Sequence, residues 1–349
     1  MKENQIKIII LSCIVSLGIS CQSDPFRVNT EGIEPNIILR NFAQDFMNLA
    51  EVAHHDSQFL EAYTQLKESY PYFLHDWLLM PEMMDIGHPN DPETPLILRE
   101  MLKSKPLLEL YSNILSRFGD FSEFKSELTQ AYKRFLYYLP DQSIPEVIPF
   151  IGNFSLTMNP VGKNYIGVSL EMNMDDTFRY YKLLNPPIEQ YFYKLFTHEN
   201  MAPLHIQAHA NDLYNHTHAA VKFSDYLLYW GKLLYFTEAM MPNKPKHLII
   251  GYTPQEWKQC IQEEKEIWTY FIKEDLLYSS DSRVYMRHFS EGPYTVAPGV
   301  PEQTPPMLGK FAGWRMVSHY MNKNPEVTLA ELMELSDSEL FLQQAKYKP

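Results

Sequence analysis

Two histidines carry the sharpest chemical signal in the chain. His205-Ile206-Gln207-Ala208-His209 sets two imidazoles at i and i+4, on one face of a helix. That is the spacing at which a metallopeptidase helix offers two nitrogens to zinc. Such an enzyme also needs a general base directly after the first histidine, a glutamate that takes a proton from the metal-bound water. Here the residue is Ile206, which accepts no proton. A third ligand would come from the following helix, where the sequence reads Trp230-Gly231-Lys232, with Asp225 and Glu238 as the nearby acids. His216 and His218 could serve a different metal site. Against the metal stands the plainer reading that His205 and His209 are packed or solvated side chains.

The other reactive position is Cys21. Lys2 and Lys7 supply a positive start, and residues 8–19 are almost wholly apolar, interrupted mainly by Ser12, Ser16 and Gly18. The run is too short for a comfortable membrane span of about 20 residues and reads as a secretory signal. It ends at Leu17-Gly18-Ile19-Ser20-Cys21, a loose lipobox. Cleavage before Cys21 frees its thiol to take a diacylglyceryl group. Cys13 is a poorer lipidation site because little apolar sequence precedes it. An ordinary signal peptide with a chance cysteine is the alternative. Polar Gln22-Ser23-Asp24-Pro25 follows at once, as a tether would.

These residues need elements to place them. Residues 1–20 read as a lipoprotein signal peptide, 21–36 as a tether, 37–145 as a helical part, and 146–349 as a part with a small sheet and further helices. Ile38, Leu39, Phe42, Phe46, Leu49, Ala50 and Ala53 recur at helical spacing. That helix is expected to run from Asn36 to Tyr70 with a bend near Asp56. A short aromatic helix is expected between Pro71 and Pro81, then helices over 96–115 and 121–139. Val147 to Gly152 and Tyr165 to Leu170 read as strands, with Pro160-Val161-Gly162-Lys163 as a turn. Helices are expected to resume near Asp175. Thr253 to Glu256, Thr328 to Glu331 and Ser336 to Glu339 have capping-box spacing. The fold class is thus mainly α with a small β-sheet (α+β). Two strands followed by the His205 helix and a second helix from Tyr214 to Met240 resemble a degenerate zincin-like scaffold.

Composition narrows the function. The formal net charge of −13 argues against a nucleic-acid partner. There is no Gly-rich phosphate loop and no Gly-x-Ser-x-Gly elbow. Cys260 sits in a helical pattern and reads as a packing residue. The acids of Glu171-Met172-Asn173-Met174-Asp175-Asp176 lie at a strand-to-helix junction, which would not gather them around one metal.

Several segments together resemble a known family. Trp230-Gly231-Lys232-Leu233-Leu234-Tyr235-Phe236 is similar to the Gly-Lys-x-Leu-Tyr segment of the gliding motility lipoprotein GldB family. Gly251-Tyr252-Thr253, Glu264 to Trp268, Leu277-Tyr278-Ser279, Gly313-Trp314, Tyr320-Met321 with Asn324, and Lys346-Tyr347-Lys348-Pro349 follow in the family's order. The likeness covers residues 147–349, and the N-terminal helices share only its general pattern. The chain departs where Trp230 stands in place of an acid, and where Gln303-Thr304-Pro305-Pro306-Met307 replaces a Glu-Ser-Pro-Gly-Arg-type segment. The resemblance implies a non-catalytic envelope lipoprotein of the gliding machinery and its linked secretion system. It would be anchored by Cys21, in the outer rather than the inner membrane, with envelope proteins as partners and no cofactor. The alternative is a zinc-dependent hydrolase using His205 and His209.

Overall fold

The computed structural model describes residues 25–217, 220–292 and 304–349; the signal segment, Cys21, His218 and Gln303 lie outside them. Six helices come first: α1 (Phe42–Asn48), α2 (Asp56–Ser69), α3 (Phe73–Leu79), α4 (Thr94–Leu102), α5 (Lys105–Phe118) and α6 (Ser122–Tyr138). The long helix expected from Asn36 is α1, a 3-10 turn over Leu49–Val52, and α2, broken just before Asp56. The helix expected over 96–115 is two. Pro106 has no N–H to give to a preceding turn, so α5 starts afresh from an extended Ser104. Aromatic rings lock this half together. Phe42 and Phe46 each meet Trp77 edge-on at 4.9 Å, and the Trp77 indole N–H donates to Ile151 O at 2.9 Å.

The sheet is small: β1 (Glu146–Phe150), β2 (Val161–Gly162) and β3 (Tyr165–Ser169), in the order β1-β3-β2. β1 and β3 are parallel, with Val147 opposite Ile166, and β2 is antiparallel to β3. Val161 and Gly162, expected in a turn, form β2; the turn falls at Lys163-Asn164, where Asn164 has φ +63°. Asparagine tolerates that left-handed conformation better than other side chains. Leu39 bridges the free edge of β1. β3 is buried along its whole length, as a strand covered on both faces must be.

The second half is helical: α7 (His198–Tyr214), α8 (Phe223–Met240), α9 (Lys246–Ile250), α10 (Pro254–Gln262), α11 (Glu264–Lys273), α12 (Ser282–Phe289), α13 (Leu308–Lys323), α14 (Leu329–Glu334) and α15 (Ser338–Ala345). Between Asp175 and α7 the chain makes only 3-10 turns, not the helix expected there. The capping boxes at Thr253 and Thr328 form as expected, but Asp337, not Ser336, caps α15 by accepting from the Leu340 N–H at 2.9 Å. α8 is buried on nearly every side, which makes it the central strut of the fold. α13 lies along it in the most extensive helix contact of the described residues.

One apolar cluster runs from Phe26 to Tyr347 and joins both halves. Phe26, within the stretch read as a tether, is buried and packs its ring 5.2 Å from Tyr235, while Arg134 donates to its carbonyl. The chain is therefore fixed to the body from this point on. Among the described residues no helix is long and apolar enough to cross a membrane. The mainly α architecture with a small sheet is as expected. The likeness to a zincin scaffold finds no support: the sheet is one short parallel pair with a two-residue strand, and α7 turns its histidines against α6.

Candidate functional site

His205 and His209 do share one face of α7, as their spacing requires. That face is buried. The His205 Nε2 and the Tyr132 hydroxyl of α6 share a hydrogen bond at 3.0 Å, and Phe124 stands edge-on to the His205 ring. The His209 ring lies 4.8 Å from that of Phe135 and 5.6 Å from Tyr132. Burial pushes His205 down to about 3, with His209 adding repulsion, and burial alone pushes His209 down to about 4. Both rings are therefore neutral at pH 7. Each Nδ1 is buried without a hydrogen-bond partner. No group of three or more His, Cys, Asp or Glu that could hold a metal ion occurs among the described residues. As placed, the pair does not make a zinc centre without a further ligand. His216 lies on the surface, 3.2 Å from Glu334.

The acids weighed as a third ligand are engaged elsewhere. Asp225 accepts from the Val221 and Lys222 N–H groups and from the Ser338 hydroxyl, at the start of α8. Glu238, at the other end of α8, accepts from the Trp314 indole N–H at 2.9 Å and pairs with Lys246 at 2.7 Å. It forms part of the wall of a groove of about 1080 Å³. Tyr137 and Tyr138 of α6, Tyr235 of α8, Arg315 and Ser318 of α13, and the loop before α14 complete it, with Pro25 and Phe26 on the lining. Arg315 also donates to Glu264 at 2.8 Å, and Glu264 accepts from the Tyr347 hydroxyl.

The family model described as Gliding motility protein GldB matches residues 23–349. The chain belongs to the GldB family. The match runs over nearly the whole chain, so the N-terminal helices belong to it as much as the part after residue 147, where the sequence likeness was strongest. No curated protein and no solved structure matches.

The segments that carry the GldB likeness are joints of the fold. Gly231 and Gly313 sit where α8 and α13 cross. A Cβ at Gly231 would lie 2.7 Å from the Gly313 carbonyl carbon, and one at Gly313 would lie 3.0 Å from that of Leu227. Only glycine permits this approach. Lys232 is buried, and its ammonium donates to Thr217 Oγ1 and to the carbonyls of Met333 and Leu335. It thereby satisfies carbonyls at the C-terminus of α14 that have no partner within the helix. Burial lowers Lys232 to about 8. Trp230, the departure from an acid, has its ring face 3.9 Å from the Lys310 ammonium, which also pairs with Glu291 at 2.5 Å. The aromatic face thus adds its negative potential to the Glu291 carboxylate around one ammonium. Gly251 ends α9 with φ +80°, and the Tyr252 hydroxyl donates to Pro306 O at 2.6 Å. Ser279 O accepts from the Phe223 N–H that opens α8.

Sequence reasoning read Glu171 only as one of an acid run at a strand-to-helix junction that makes no metal site. Its side chain is buried and pinned by the Gly152 N–H at 2.9 Å, closing the loop after β1 onto the end of β3. Burial raises it to about 7. A glutamate at the end of a continuously apolar strand was the available signal. Cys260 is fully buried in α10, and burial pushes its thiol up to about 12, which leaves it a packing residue.

Proposed function

We propose that this chain is a lipid-anchored, non-catalytic accessory of the gliding motility machinery and its linked secretion system. It would be attached through Cys21, in the outer membrane, and would act by holding envelope proteins. The observation that carries the reading is the GldB family match over 23–349. Two others support it. The histidines singled out for catalysis are neutral packing residues among rings. Phe26, five residues after Cys21, is buried against Tyr235, so a lipid on Cys21 would hold the body close to a membrane. The test is deletion of the gene, read by motility, display of surface proteins and envelope secretion. Loss of at least one is expected, with restoration by the wild type and by His209→Leu but not by Cys21→Ser. A deletion that leaves all three unchanged refutes the reading.

One observation favours a second reading, a zinc hydrolase: the Nδ1 atoms of His205 and His209 are both buried and unpartnered. Zinc there would need a third ligand that the described residues do not place beside the pair, and a shift of the Tyr132 and Phe135 rings. Mass spectrometry of protein purified without chelators decides it. About one zinc per chain, lost on changing both histidines, would establish this reading over the first.

A further inference from the structure

We infer that the groove between the C-terminal end of α8 and the outer face of α13 binds a zwitterionic phospholipid of the bilayer that holds the anchor. The inference rests on the lipid anchoring proposed above. Its first support is position. Pro25 and Phe26 line the groove, and Arg134 and Tyr235 fix Phe26 in place. Four residues lead from Cys21 to Pro25, which span at most about 14 Å when fully extended. A diacylglyceryl group on Cys21 thus brings the groove to the head-group layer.

The second support is charge. The groove's charged lining is two cations, Lys246 and Arg315, and two carboxylates, Glu238 and Glu326, so its formal charge cancels. A simple anion or cation gains little from such a surface. A zwitterion gains from both signs: its phosphate would share Lys246, now paired with Glu238, and Arg315, now paired with Glu264, while its ammonium meets the exposed carboxylate of Glu326. The third support is size and wall chemistry. About 1080 Å³ stands at the upper end of small-molecule sites, more than a single sugar needs. Tyr137, Tyr138 and Tyr235 suit the boundary between polar heads and hydrocarbon, and Met321, Val327 and Leu329 offer apolar contact to the start of an acyl chain.

The test reconstitutes the purified full-length lipoprotein into vesicles carrying a photoactivatable phosphatidylethanolamine, and maps labelled peptides by mass spectrometry. Labelling is expected within residues 235–246 and 315–329, at least tenfold above that from the same probe built on anionic phosphatidylglycerol. Ser318→Trp, which fills the groove from a half-buried position, should cut it at least tenfold. Asn322→Trp, at an exposed position on the same helix, should do the same without touching the core. Equal labelling by the two lipids, labelling that neither tryptophan reduces, or protection of the groove by an added cell-wall glycan instead would overturn the inference. The intact mass of the protein reads the acylation of Cys21 separately. An unacylated protein would overturn the anchor, while labelling from added vesicles still judges the groove.

Discussion

Gly231→Ala is the substitution that most directly tests how the body is built. In an open helix the change stabilises by about 1 kcal/mol, because alanine is the better helix former. At this position the new methyl would lie 2.7 Å from the Gly313 carbonyl carbon and 2.7 Å from Val317 Cγ2, with the Gly313 oxygen nearer still. Ordinary contact begins near 3.4 Å, so α8 and α13 must part by roughly 1 Å over a close-packed contact. Overpacking of this kind typically costs about 1–3 kcal/mol and at times more. Here the obstacle is backbone, which cannot swing aside, so the upper end applies. After the propensity gain a net loss of about 2 kcal/mol is expected. Urea denaturation followed by tryptophan fluorescence measures it, with Trp230 on α8 and Trp314 on α13 as reporters at the crossing. Gly292→Ala, with nothing within 4 Å of the new Cβ, is the control and should stay within about 0.5 kcal/mol. Adding Gly313→Ala to Gly231→Ala should cost less than the sum of the two, since both act on one crossing. A Gly231→Ala protein as stable as the wild type would refute the argument that these glycines exist to let the two backbones meet.

Three further outcomes follow from the same contacts. His205 and His209 bind fewer protons folded than unfolded between their lowered values and the usual 6.5, so stability should fall as pH drops from about 6.5 toward 4. The loss is on the order of 3 kcal/mol for each at pH 4, and His209→Leu should flatten that limb in pH-dependent urea titrations; an unchanged acid limb would contradict the neutral burial. Glu171 has the opposite sign: its folded state holds a proton between 4.5 and about 7, so its contribution declines as pH rises through that window, by about 3 kcal/mol in all. Glu171→Gln should remove this decline and leave the histidine limb in place. Lys232→Met strips donors from Thr217 Oγ1 and from two carbonyls at the end of α14. A loss of about 3 kcal/mol is expected from the unmet acceptors, together with faster amide exchange in α14 and α15; unaltered exchange there would show that the ammonium is not what holds α14.

How much of this was legible depends on whether the cause is local. Capping boxes at Thr253 and Thr328 are local chemistry, and they form where the spacing placed them. The shared face of His205 and His209 is likewise fixed by helical period alone. What that face meets is not local. Nothing near position 205 says that Tyr132 and Phe135, some seventy residues earlier, will close over it. The break before α5 was present in Ser104-Lys105-Pro106 and was outweighed by the apolar pattern on either side. The β2 strand was hidden because two residues are too few to show alternation. Glu171 was hidden for another reason: its carboxylate answers a backbone N–H across the loop, a partner that no side-chain pattern reveals.

The family-like segments show why a motif can be specific and yet say little about activity. Each singled-out residue in Trp230-Gly231-Lys232 has a task inside the body: ring face to Lys310, close approach to Gly313, ammonium to the end of α14. Each task needs that residue type at that place, which is enough to make the order of segments recognisable without any substrate. Glu238 and Arg315 differ from these. Both are committed to partners, Glu238 to Trp314 and Arg315 to Glu264, and both also line the groove beside Pro25 and Phe26. The parts of the chain that make the fold recognisable are therefore largely buried, and the surface proposed above to meet a lipid lies where α8 ends, along the outer face of α13. A search for function by substitution should begin with Ser318, Asn322 and Lys246 on that surface, because changes at Gly231 or Lys232 would remove function by loosening the body that carries it.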